Sequence, residues 1–75
     1  MTPGQAKLNR FAKLVDSIET DLSIPDVTTS DRLIYDPILG QQVVDYFIKN
    51  GWDARIVAVP HCNHKAHHLT VAFPQ

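Results

Sequence analysis

The chain has 75 residues, a single cysteine and a net charge of −1, with 7 Lys/Arg against 8 Asp/Glu. These numbers leave room for one small domain, residues 1–75, without an internal disulfide and without the basic stripe that nucleic-acid binding would call for. No apolar run approaches the roughly 20 residues of a membrane-spanning helix.

An apolar fraction of 44% is ordinary for a folded domain, so disorder is not expected. A chain of this size buries only about 60% of its unfolded surface, and self-association or a partner would add to its stability. The lone Cys62 suits a reducing compartment, and Met1 is followed by helix-start residues rather than by a signal sequence. The expected location is cytoplasmic.

Thr2-Pro3-Gly4-Gln5 is a helix start. Thr2 caps, Pro3 takes the first position, and Gln5 reaches back to complete a capping box. Leu8, Phe11, Ala12, Val15, Ile18 and Leu22 follow at helical spacing. The pattern predicts an amphipathic helix from about Pro3 to Asp21, packed on a core, with an exposed side that could also meet a partner. Residues 23–31, SIPDVTTSD, read as turn and loop chemistry, with Pro25 blocking continuation of the helix. Arg32 to Tyr35 could form a short third strand.

A second helix is predicted after Asp36, an N-cap followed by Pro37 at the first helical position. Ile38, Leu39, Val43, Val44, Phe47 and Ile48 form its apolar stripe, and Tyr46 sits at the boundary. Gly40 inside it is read as permitting close packing against the first helix. Gly51 after Asn50 is the expected left-handed stop, and Trp52 is expected to fold back on the last turn. The segment Ala54 to Val59 then reads as a strand apolar on both faces, either interior to a sheet or awaiting a partner on its second face. Leu69, Val71 and Phe73 alternate with Thr70 and Ala72 as a half-buried final strand.

The fold class expected is α+β: two N-terminal helices packed on a C-terminal antiparallel β-hairpin, with a third short strand at 32–35 left open, in two layers. Strand pairing across a two-fold axis would close the hairpin's exposed edge in a homodimer.

The connection between the last two strands, HCNHKAHH, holds all 4 histidines and the cysteine. A zinc site would draw on His61, Cys62, His64 and His68, since imidazole and thiolate are the usual ligands, but the spacing matches no standard zinc pattern. Cys62 with His64 could instead make a nucleophile and base, or serve a nucleotide-binding protein. Nothing near them supplies an orienting group, and the chain holds no phosphate-binding glycine motif. The preferred reading is a polar hairpin tip that contacts a protein, with no cofactor. Trp52, Val57, Val59, His64 and His67 are the candidate partner-binding residues.

A capped α+β domain with a helix–Gly–Trp–strand turn resembles small virus-encoded accessory or virion proteins in general style, though it carries no diagnostic motif of theirs. The resemblance would imply an inhibitor or an assembly subunit, acting in the host cytoplasm or the virion. The function expected from the residues is binding of another protein or of a second copy, with a zinc-binding domain and a small enzyme as alternatives.

Overall fold

The structure, a computed structural model, describes residues 1–59 and 66–74. Along the chain come α1 (Pro3–Leu22), β1 (Thr29–Ile34), α2 (Pro37–Lys49), β2 (Asp53–Ala58) and β3 (His67–Ala72). The result is a small α+β domain, two helices with a three-stranded antiparallel sheet. The helices do not both precede the strands as expected, because β1 lies between them.

Both helix starts follow from local chemistry. The Gln5 amide N–H donates to Thr2 Oγ1 at 3.2 Å, and the Thr2 N–H donates to Gln5 Oε1 at 3.0 Å. This reciprocal pair satisfies two donors that a helix start otherwise leaves free. Asp36 Oδ1 accepts from the N–H groups of Ile38 and Leu39 at 3.0 and 3.1 Å. At the far end of α2, Gly51 adopts φ +90°, where a Cβ would be strained, and the Trp52 N–H donates to the Phe47 carbonyl at 2.9 Å.

β3 is the central strand. Its partners are β1 on one side and β2 on the other, both antiparallel, in the order β1-β3-β2. β1 and β2 therefore run in the same direction with β3 between them. The hairpin of β2 and β3 forms as the sequence implies, but β2 is an edge strand and not an interior one. A third strand does form, over Thr29–Ile34: it begins within the stretch read as loop and ends before Tyr35, one residue short of the expected 32–35.

The period of two explains how polar residues enter β1. Ser30, Arg32 and Ile34 share the side facing the helices, and Thr29, Asp31 and Leu33 share the other. Ser30 is buried, and its hydroxyl donates to Asp21 Oδ2 at 3.0 Å. Arg32 donates to the same oxygen at 2.6 Å and to Ser17 Oγ at 2.7 Å. The polar start of β1 is thus tied to the end of α1 by hydrogen bonds.

The core lies between the helices and this one side of the sheet. Val15, Ile18 and Leu22 of α1 meet Val43, Val44 and Phe47 of α2 over Ile34, Leu69 and Val71. Phe11, Tyr46, Phe47, Trp52 and Phe73 continue it as a chain of ring contacts with centroids 4.8–6.4 Å apart. Leu8, Ile38 and Ile48, counted in the apolar stripes from spacing, are exposed, so each stripe is wider than the face its helix buries. Gly40 faces the sheet, not the first helix. A Cβ there would lie 2.4 Å from Ile56 Cδ1 and 3.7 Å from Ile34 Cγ2.

Candidate interaction face of the sheet

Among the described residues, the side of the sheet turned away from the helices is exposed, with Thr70 and Ala72 half-buried. Its nine positions fall in three rows, read across β1, β3 and β2 from the strand register. Leu33, His68 and Val57 make the first row. Asp31, Thr70 and Arg55 make the second. Thr29, Ala72 and Asp53 make the third.

The first row is apolar at both edges. Leu33 is 55% exposed and Val57 is 53% exposed, with His68 directly between them. Single exposed apolar residues are common on protein surfaces, so exposure alone decides little. What distinguishes these two is that they stand in register on an uncovered β-surface. Tyr35, also exposed, follows Leu33 just beyond the end of β1.

The second row carries the polar chemistry. Thr70 Oγ1 donates to Asp31 Oδ1 at 2.9 Å, and His68 Nε2 lies 3.4 Å from the same oxygen. Asp31 is thereby held between two groups of the neighbouring strand. Among the described residues, Arg55, on the opposite edge, meets a distant carboxylate, Asp53 at 3.9 Å, with its side chain 70% exposed. An exposed pair at that distance contributes little. One edge of the face thus carries a fixed anion and the other a weakly engaged cation.

This arrangement is not that of a nucleophile and base. The Thr70 hydroxyl and the His68 imidazole both address Asp31, and no contact joins hydroxyl to imidazole. A shallow groove between α1 and α2 is lined by Leu8, Phe11, Gln42 and Asp45, which form no cluster of reactive groups. The shortest ion pair among the described residues, Arg32 with Asp21, sits on the helix side. Hydrogen bonds from Arg32 and then Ser30 hold the Asp21 carboxyl below its usual range.

Of the residues singled out from the sequence, His61, Cys62 and His64 lie outside the described residues. His68 is on the uncovered face beside Asp31, while His67 takes the opposite side, half-buried. Among the described residues, no group of three His, Cys, Asp or Glu side chains is placed to hold a metal ion. Val57 stands on the uncovered face. Val59 is half-buried past the end of β2, its N–H donating to the Ala66 carbonyl at 3.0 Å. Trp52 is half-buried against Phe47 and Phe73, at the helix-to-strand turn.

Leu33, Asp31, Arg55 and Thr70 were not candidates on sequence grounds. The signal for Leu33 was its place in a short alternating run, but which of its neighbours faced the core depends on Asp21, a tertiary partner. The row shared by Asp31, Thr70 and Arg55 exists only through strand register, which the linear sequence does not display. Among the described residues, no helix is long and apolar enough to cross a membrane. Compared with known proteins, the chain matches no family model, no curated protein and no solved structure.

Proposed function

We propose that this protein is a small protein–protein interaction module that works by binding through the uncovered face of its sheet. The observation that carries the reading is the register of Leu33 and Val57. Two half-exposed apolar side chains flank His68 in one row, on a sheet whose other side is already filled by the helices. Covering such a row removes apolar surface from water without disturbing the core. Charged residues at the edges, Asp31 with Arg32 and Asp53 with Arg55, oppose the addition of another strand. A partner is therefore better accommodated on the face than along an edge. The role fits a subunit of an assembly or an accessory protein.

The test is site-specific photo-crosslinking in the cell. A photoreactive residue is placed at Leu33 or Val57 and, as controls, at Lys13 or Glu19 on exposed positions of α1. Discrete adducts from the sheet positions and none from the helix positions are expected. Equal labelling from both surfaces, or none from either, would remove the sheet face as the binding surface. The adduct mass reports whether the partner is a second copy of this 8.4 kDa chain or another protein.

A further inference from the structure

We infer that the occupant of this face is a second copy of the chain, seated face to face about a two-fold axis that runs along β3. The inference rests on the reading of the face as a docking surface and specifies the partner and its orientation. Two sheets packed face to face keep their strands within about 30° of each other. A closed dimer then has two choices of axis in the plane between the sheets, along the strands or across them.

Strand register decides between the two. An axis across the strands that keeps all three rows covered must pass through the middle row, and it lays β1 on the second copy's β1, so Asp31 would face Asp31 and Arg55 would face Arg55. Like charges brought together in this way cost affinity. An axis along β3 lays β1 on the second copy's β2 and keeps every row opposite its own row. Asp31 then faces the second copy's Arg55, Leu33 faces Val57, and Thr29 faces Asp53, each twice by symmetry. His68, Thr70 and Ala72 meet their own copies on the axis.

The rows cannot slide, because a shift along the axis would turn the closed dimer into an open screw. Sheet twist offsets the edge rows by about 2–3 Å, less than one residue of strand. The long Arg55 side chain, 70% exposed, can span that offset. Asp31, held by Thr70 and His68 within its own chain, is thus aligned with the weakly engaged cation Arg55.

The footprint sets the strength. Strands about 4.8 Å apart and six residues rising about 3.3 Å each give roughly 300 Å² of flat face per copy. A standard interface buries about 800 Å² per partner. The dimer is therefore weak and depends on concentration.

The experiment is a charge-swap mixture, read by sedimentation equilibrium up to about 1 mM protein, a range chosen for interfaces of this small class. Both positions are exposed, so Asp31→Arg and Arg55→Asp are expected to fold, which circular dichroism melting checks. The Asp31→Arg chain presents two cations to its copy, and the Arg55→Asp chain presents two anions. Each alone should weaken the dimer by about tenfold or more, and an equimolar mixture should recover a heterodimer close to the wild-type affinity. A wild type that stays monomeric overturns the inference, and so do single variants that associate like wild type or a mixture no better than its components. Crosslinks from Leu33 and Val57 to a different protein would overturn the second copy while leaving the face as a binding surface.

Discussion

Gly40 of α2 lies directly over Ile56 of β2, with a missing side chain on the helix matched to a filled position on the sheet. A Cβ at Gly40 would come within 2.4 Å of Ile56 Cδ1. Because that atom is the end of a flexible side chain, Gly40→Ala should be close to neutral, within about 1 kcal/mol. Rotation of Ile56 offsets the helix propensity that Ala adds. Gly40→Leu has no such escape, since Ile34 also lies within 3.8 Å of that Cβ, and it should cost about 2 kcal/mol or more. Adding Ile56→Ala to Gly40→Leu should cost less than Ile56→Ala does alone. Urea unfolding of the four chains measures this coupling, and additive effects would show that the two residues do not share the space.

The acid limb of stability should belong to Asp21. Arg32 and Ser30 hydrogen-bond its carboxylate in the folded chain, and its pKa is lowered from the ordinary 3.8. A lowered carboxyl contributes stability that is present above the unfolded value. That stability is lost as pH falls through the folded one. Asp21→Asn should therefore flatten the fall in melting temperature between about pH 5 and pH 2, and lower stability at neutral pH. An unchanged slope in the variant would place the acid sensitivity elsewhere. Arg32→Lys should retain only part of the effect, because one ammonium cannot reproduce the guanidinium contacts to both Asp21 and Ser17.

Residues 30–34 also show why the sequence was partly legible. The helices could be read because their signals are local: Thr2 with Gln5, Asp36 with Pro37, and Gly51 as a stop. β1 was only half visible, because Thr29, Ser30 and Asp31 resemble turn residues. Ser30 and Arg32 occupy the inward side as partners of Asp21, which no local period reveals. The same limit applies to the candidate face. Val57 was visible, since its strand is apolar on both sides, whereas its alignment with Leu33 and that of Asp31 with Arg55 arise from β3 pairing with both neighbours. Gly40 was recognised as a packing position, but its partner is the sheet because α2 presents that turn to Ile34 and Ile56.

Core and face substitutions should separate cleanly. Phe47 is fully buried and edge-on to Tyr46 and Trp52. Phe47→Ala should cost about 3–5 kcal/mol, against a total of roughly 4–11 kcal/mol for a domain of this length. Much of the protein would then unfold at 37 °C, with Trp52 fluorescence reporting it. Leu33→Ser on the uncovered face should change stability by no more than about 0.5 kcal/mol in dilute protein. On the proposed dimer it should still raise the dissociation constant, because the apolar surface it removes would be buried in that complex. A large loss of monomer stability in Leu33→Ser would mean that this side chain already packs within the chain.

Thr70 tests the two-fold packing and Asp31 the direction of its axis, because a residue on the axis meets only itself. Thr70→Lys places an ammonium near Asp31 in each copy, so the monomer should fold. In the dimer the two ammonium groups converge, and the dissociation constant should rise by about tenfold or more. Thr70→Val, which keeps the shape and loses the hydroxyl, should fold and dimerise nearly as wild type, since the 2.9 Å hydrogen bond to Asp31 lies within one chain. An axis across the strands centred on the middle row would also bring Thr70 onto itself. That geometry, however, sets Asp31 against Asp31, so Asp31→Asn should tighten it. Along the strands Asp31→Asn removes the attraction to Arg55 and should loosen the dimer. Loosening by both Thr70→Lys and Asp31→Asn is the expected pair of results, and tightening by Asp31→Asn would turn the axis through a right angle.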